Sequence, residues 1–226
     1  LLFFVLGCLS KSSVVVFPIA LICLDILIQK KLSFKFIINK IPFILLAVLF
    51  GIINIKTQTA DQFINHSHEF PFYQRIGFAG FALLKYLILF LLPVNLSVIY
   101  PYPEITNSVF VVGFAALLII VGLIFLFIKQ KKYPALSILL FILANLILVL
   151  QFLPFGEVLY ADRYMYVPLI GFAWLIGLLI SKLKIQPAII SIAFVVIFSV
   201  FSFARANDWK SALNLYEDIN KKYPNQ

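Results

Sequence analysis

The chain has 226 residues, is 63% hydrophobic and only 12% charged, with a mean hydropathy of +1.08 and a formal net charge of +9. Soluble domains average about 25% charged residues, so this composition excludes an ordinary soluble fold, and the absence of polar–apolar alternation excludes an outer-membrane barrel. The basic excess does not mark a nucleic-acid binder, because the lysines sit in short connections between apolar runs, where they govern orientation in a membrane.

Several runs approach or exceed the roughly 20 apolar residues a spanning helix needs. Taken in order, Leu1–Leu9 reads as the end of one span, in a chain that is expected to begin inside a helix. Ser10-Lys11-Ser12-Ser13 interrupts it. A straight helix over residues 1–28 would bury Lys11 deep in hydrocarbon at roughly 3 kcal/mol or more, so a break is expected there. Val14–Ile28 is the next span, short and carrying Pro18. Gln29–Lys40 holds Lys30, Lys31, Lys35 and Lys40 and no acid.

Ile41–Ile55 is the third apolar run, followed by a polar stretch, Lys56–Gln74, with Asp61, His66, His68 and Glu69. His-x-His without further ligands at defined spacing reads as a solvated loop rather than a metal site. Arg75–Leu92 is apolar but contains Lys85. Pro93–Asn107 carries Pro93, Pro101 and Pro103, which forbid a regular helix. Ser108–Ile128 is a firm span, ended by Lys129, Lys131 and Lys132; Pro134–Leu153 is the next. Then comes a cluster of Glu157, Asp162, Arg163, Tyr164 and Tyr166. Val167–Ile180 ends at Lys182 and Lys184, Pro187–Phe203 is the last span, and 205–226 is a polar tail of helical character. Cys8 and Cys23 lie in apolar runs and read as small hydrophobes. The expected fold is an all-α polytopic membrane protein with about six to seven spans.

The lysine-rich, acid-free connections 29–40, 129–132 and 182–184 are expected on the cytoplasmic side. Residues 56–107, 154–166 and the tail are then extracytoplasmic. Parity demands an even number of crossings between 29–40 and 129–132, yet three apolar runs intervene. The weakest, 75–92, is expected to be a re-entrant or interfacial helix, with a true span as the alternative. This arrangement brings Lys11, Tyr100 and Tyr102, and the Asp162–Arg163 cluster to the outer side. Asp25, at the other end of its helix, reads as structural.

Arg163 has two readings. Its guanidinium suits bidentate binding of a phosphate. It could equally be an interfacial arginine paired with Asp162 or Glu157 within an aromatic belt of Tyr160, Tyr164 and Tyr166. Lys11 is open in the same way, as an intramembrane charge facing a cavity or snorkelling to the surface. Tyr100-Pro-Tyr102-Pro-Glu104 could line a groove or form a rigid turn. No Gly-rich phosphate loop is present, which argues against an ATP-driven transporter.

Four motifs occur in order. They are Leu9-Ser10-Lys11-Ser12 with Phe17-Pro18 and Leu24-Asp25; Tyr86 leading to Leu92-Pro93-x-Asn95-Leu96-Ser97-x-x-Tyr100-Pro101-Tyr102-Pro103; Ala161-Asp162-Arg163-Tyr164-x-Tyr166-x-Pro168-x-Ile170-Gly171; and Asp208-Trp209-Lys210-Ser211 through Leu213, Leu215 and Tyr216 to Tyr223-Pro224. Together they resemble the membrane domain of the TMTC-type proteins, multispanning proteins with C-terminal tetratricopeptide repeats. That family is related to protein O-mannosyltransferases and the wider GT-C glycosyltransferases. The resemblance implies a GT-C-like bundle over 1–204 and the start of a repeat region over 205–226. It also implies a polyprenyl-phosphate sugar as donor substrate, with mannose one candidate sugar, and a protein or glycan hydroxyl as acceptor on the extracytoplasmic face. Arg163 and Lys11 would bind the donor phosphate, supported by Asp162, Glu157, Tyr164, Tyr166, Tyr100 and Tyr102. The catalytic acid is expected upstream of residue 1. The chain's high Ile, Phe, Lys and Asn content suggests an AT-rich, bacterial genome, and the expected location is the bacterial inner membrane. A non-catalytic scaffold presenting repeats is the alternative function. A transporter or flippase is a third, which would predict inverted repeats or paired broken helices.

Overall fold

The computed structural model describes residues 1–60, 70–103, 107–150, 152, 158–181 and 186–224. Asp61, His66, His68, Glu69, Glu104, Glu157, Lys182 and Lys184 lie outside the described residues. Ten helices, α1 (Leu2–Ser10), α2 (Phe17–Gln29), α3 (Lys35–Ile38), α4 (Ile41–Ala60), α5 (Phe72–Leu91), α6 (Asn107–Lys129), α7 (Tyr133–Leu146), α8 (Pro168–Ile180), α9 (Pro187–Asp208) and α10 (Ala212–Lys222), make up nearly all the described secondary structure. A two-stranded ribbon pairs β1 (Tyr100–Pro101) with β2 (Val158–Tyr160). Five stretches, in α2 with its preceding turn, α4, α5, α6 and α9, are long and apolar enough to cross a membrane. The apolar helices at Tyr133–Val149 and Pro168–Ile180 are shorter. The protein is an all-α polytopic membrane protein, as its composition implies.

The expected break lies at Lys11. Helix α1 ends at Ser10, Lys11 is extended (φ −149°, ψ 123°), and a 3-10 turn over Ser12–Val16 leads into α2. Pro18 falls in the first turn of α2, where its missing N–H costs nothing, so the short span is not kinked. At the other end, Lys30 takes a left-handed cap, and the Lys40 ammonium lies 2.7 Å from the Asp25 carboxylate. Asp25 is thus structural, tying the chain before α4 back onto α2. The Ser137 hydroxyl donates to the Cys23 carbonyl and joins α2 to α7.

Helix α5 is the hub. Phe78, Ala79, Ala82, Leu83 and Tyr86 are buried in the main core with Ile138, Ile142 and Leu146 of α7 and Phe172 of α8. Its closest neighbour is α6, and glycines permit the approach. A Cβ on Gly80 would stand 2.0 Å from the Gly113 carbonyl oxygen, and one on Gly113 equally close to the Gly77 oxygen. The paired positions ascend together, Gly77 on Phe110 and Gly80 on Leu117. The two helices therefore run in the same direction.

Two co-directional neighbours need a connection that returns to the starting end. Pro93 stops α5, and Asn95 turns the chain with φ 55°, a left-handed value that Asn tolerates well. The segment then runs back along α5. Tyr100 stacks on Tyr160, which packs on Tyr86, while Tyr102 meets Phe78 and Phe70 nearer the start of α5. Fifteen residues, 92–106, extend to about 50 Å, ample for the roughly 30 Å rise of α5. Helix α5 is a single unbroken helix of spanning length.

Gly80→Ala is expected to destabilise the fold by about 3 kcal/mol or more, because the new methyl meets backbone rather than a flexible side chain. Gly122→Ala, with open space around its Cβ, is expected to be neutral or slightly stabilising. Thermal midpoints of the two variants in detergent check the contrast.

Candidate functional site

The cluster at 158–166 is built from three distant parts of the chain. Strand β2 pairs antiparallel with β1, Tyr100 opposite Tyr160 and Pro101 opposite Val158, and the two tyrosine rings stack at 4.3 Å. Pro101 and Pro103 carry no N–H, so the ribbon cannot lengthen there. Leu159, pointing to the opposite face from Tyr160, is fully buried. Tyr86, also fully buried, reaches from α5 to the residue after the strand. The Ala161 N–H donates to its hydroxyl at 3.2 Å, and that hydroxyl lies 3.5 Å from the Ala161 carbonyl oxygen. A 3-10 turn over Asp162–Met165 follows, with Met165 anchored in the core.

This anchoring sends the two charges of Asp162-Arg163 in opposite directions. Asp162 is half-buried, next to the Tyr100 hydroxyl. That hydroxyl in turn accepts the Ser97 N–H at 2.8 Å. Burial pushes the Asp162 carboxyl above its usual range, only partly offset by the Tyr100 hydroxyl and the charges of Arg205 and Lys222. Burial, reinforced by the Asp162 charge, also raises the Tyr100 phenol well above its ordinary value. Tyr160 shifts the same way, through burial and then through the charges of Tyr223 and Asp162.

Arg163 turns outward. It is exposed, its guanidinium lies 5.1 Å from the centre of the Tyr164 ring, and it donates to the Tyr164 hydroxyl at 3.4 Å. No described carboxylate lies within ion-pair distance of it, so the expected alternative of pairing with Asp162 does not hold; Glu157 lies outside the described residues. Tyr164 is half-buried and Tyr166 is 79% exposed. Tyr102 belongs to the Phe70–Phe78 aromatic group at the far end of the return segment. Lys11 is exposed at its break, on a turn that packs against α1, α2, α4 and α7. The structure therefore brings Tyr100 to the Asp162 turn through its pairing with Tyr160, and joins Tyr164 to Arg163. No described hydrogen bond or ion pair joins Lys11 to them.

Arg205, Asp218, Lys222 and Tyr223 also reach this cluster, and sequence reading left them in an undifferentiated tail. Lys222 donates to the Leu96 carbonyl at 2.6 Å and pairs with Asp218 at 2.5 Å; Arg205 pairs with Asp218 at 2.9 Å and Asp208 at 2.8 Å. Tyr223 packs against the main core. Among the described residues no group of three or more His, Cys, Asp or Glu could hold a metal.

Fold and site thus define a polytopic helical membrane protein with a polar cluster formed by the return segment, the 3-10 turn and the tail. The chain is 25% identical over 240 aligned positions to the Caenorhabditis elegans protein "Protein O-mannosyl-transferase F38B6.6". The match covers 94% of this chain but only 32% of the relative, so the chain spans about a third of that protein's length. The similarity supports a related glycosyltransferase family. No family model and no solved structure matches.

Tyr86→Phe removes the acceptor for the buried Ala161 N–H and is expected to cost about 1–3 kcal/mol, read as a lower thermal midpoint. The raised Asp162 carboxyl keeps its proton in the folded state over a window in which the unfolded chain has lost it. The folded state binds more protons there, so stability falls as pH rises from the ordinary 3.8 through the raised value. Asp162→Asn is expected to flatten that slope in melts recorded across acidic pH.

Proposed function

We propose that the chain is part of a membrane glycosyltransferase of the GT-C type, transferring a sugar from a polyprenyl-phosphate donor to a protein or glycan hydroxyl on the extracytoplasmic face. The observation that carries this reading is the outward guanidinium of Arg163. Its neighbouring acid lies next to the Tyr100 hydroxyl, and a tyrosine holds it at the mouth of a helix. The distant similarity to a protein O-mannosyl-transferase along nearly the whole chain supports the same chemistry.

The acceptor hydroxyl oxygen attacks the anomeric carbon of the donor sugar, and the bond from that carbon to the phosphate oxygen breaks. The electron pair leaves with the lipid phosphate. The hydroxyl proton passes to a carboxylate that the family resemblance places upstream of Leu1. Arg163, with Lys11 as a second cation, binds the phosphate and stabilises the charge it gains as it departs. A guanidinium suits this task because it offers paired N–H donors to two phosphate oxygens and stays protonated throughout. The pairing of Tyr100 with Tyr160 sets the position of the turn that carries Arg163. Tyr164 and Tyr166 complete the surroundings. Helix α10 begins the tetratricopeptide region, its Ser211 hydroxyl capping the Asn214 N–H.

Attachment of α10 to the cluster favours one second reading, a non-catalytic scaffold that presents repeats from a fixed base. Sugar transfer from a polyprenyl-phosphate donor by the full-length protein separates the two. The transferase reading expects transfer by the wild type, its loss by at least about a hundredfold in Arg163→Ala, and partial retention in Arg163→Lys, with membrane insertion unchanged in both. Normal transfer by Arg163→Ala would remove Arg163 from the site, and no transfer by the wild type would favour the scaffold.

A further inference from the structure

The connection Lys222–Leu96 spans 126 positions of sequence and ties the tail to backbone that is neither helix nor strand. Leu96 lies between Pro93 and the Tyr100–Pro101 strand, one residue before Ser97, whose N–H is held by Tyr100. Lys222 is itself held. Its ammonium pairs with Asp218 one helical turn earlier, and Asp218 also takes Arg205 at the end of α9, which takes Asp208. Two cations and two carboxylates thus alternate across the α9–α10 junction. Apart from Asp208 these side chains are no more than about a quarter exposed. Tyr223, next in sequence, packs into the core that contains Tyr100 and Tyr160. Arg205 and Lys222 are also the two cations whose charge reaches Asp162.

We propose that α10 is a wall of the site rather than a linker leaving it, and that Lys222 is a positioning residue. It fixes the return segment at Leu96, and through the pairing of Tyr100 with Tyr160 it fixes the turn that presents Arg163. The arrangement explains why Lys222 engages a main-chain carbonyl. Among prolines the segment has few ladder partners, and a charged donor from outside replaces one. It also explains the order of the charges on α10. Asp218 and Lys222 stand four residues apart on one face, so each orients the other toward α9 and the return segment. Leu213 and Tyr216, exposed elsewhere on the helix, take no part.

The proposal rests on the transferase reading only for its effect on donor binding; the clamp is measured without any turnover. The full-length protein in lipid nanodiscs is examined by amide hydrogen exchange over 93–103 and 158–166. Lys222→Ala and Lys222→Met, the second keeping the packing of the side-chain stem, are expected to speed exchange in both segments by tenfold or more. Exchange in α2 and α7 is expected to stay unchanged. Lys222→Arg is expected to restore protection, and Leu213→Ala to leave it at the wild-type level. Unchanged exchange in both segments, a rise that spreads equally to α2 and α7, or no rescue by arginine would each overturn the proposal. In a transfer assay Lys222→Ala is expected to raise the KM for the lipid donor severalfold, with a smaller effect on kcat. Loss of transfer activity in the wild type would remove that arm and leave the exchange result standing.

Discussion

Buried backbone that is neither helix nor sheet must find a partner for every N–H and C=O, and beside the hydrocarbon no bulk water supplies one. The segment after α5 meets that constraint at its buried residues Ser97 and Tyr100, with prolines at 93, 101 and 103 depriving it of donors. Its solution draws on the whole molecule. The Val94 N–H turns back to Leu92 at 2.8 Å, the Ser97 N–H goes to a tyrosine hydroxyl, the Leu96 carbonyl takes a lysine from the tail, and Tyr100–Pro101 pairs with the strand before Asp162. Two of these partners, Lys222 and the strand before Asp162, come from distant elements, so this one irregular stretch orders the 158–166 cluster and the tail together. The glycine contact between α5 and α6 belongs to the same solution. Only helices that run in the same direction require a connection to come back, and only bare backbone lets these two lie close enough to share a core.

The second consequence is a separation of charge. Asp162 and Arg163 are adjacent, and in an unconstrained loop they would compete for water and for each other. The extended backbone at Ala161, held by Tyr86, enters a 3-10 turn that directs one side chain to the interior and the other away. The interior carboxylate is expensive to ionise there, and Tyr100 compensates it only in part. Such a group contributes little to stability. The turn itself is fixed by the β1–β2 pairing, which joins the return segment to the strand just before it.

Much of this was legible in the sequence, for physical reasons that differ by element. Runs such as 108–128 announce themselves because a bilayer has a fixed thickness. Lys11 announced the break between α1 and α2 because a buried ammonium costs more than a disrupted helix, and Pro93 announced the end of α5. The weakness of 75–92 as a lipid-facing span was also visible. Its helix is the most buried of the five candidate spans, so it needs less apolar surface than α6. What stayed hidden depends on contacts between distant segments. Gly77, Gly80 and Gly113 read as ordinary membrane-helix glycines until a neighbour's carbonyl is found against them. Tyr86 reads as one more aromatic in an apolar helix, and its meeting with Ala161 has no local signature. The tail looked like a polar exit. The acid–base pair at Asp218 and Lys222 was visible as an i, i+4 couple, but such couples on exposed helices are usually solvated, and nothing local pointed to Leu96 as the lysine's other partner.

The balance of charge bears on how a phosphate would be held. Arg205, Asp208, Asp218 and Lys222 neutralise one another within the α9–α10 junction. Asp162 behind the turn and Arg163 in front of it form a second, spatially divided pair. With Asp162 ionised these described groups sum to zero, so beside the proposed second cation Lys11 they add no net positive charge with which to draw an anion from a distance. In the proposed transferase, binding of the donor phosphate then depends on short-range, directional contact with the Arg163 guanidinium rather than on long-range attraction. Contact of that kind demands that the arginine be placed accurately, which the glycine crossing, Tyr86, the Tyr100–Tyr160 pairing and the proposed Lys222 clamp jointly provide. A site of this design discriminates by geometry. A displacement of the turn that would hardly alter the electrostatic potential would misalign the paired N–H donors and forfeit the interaction.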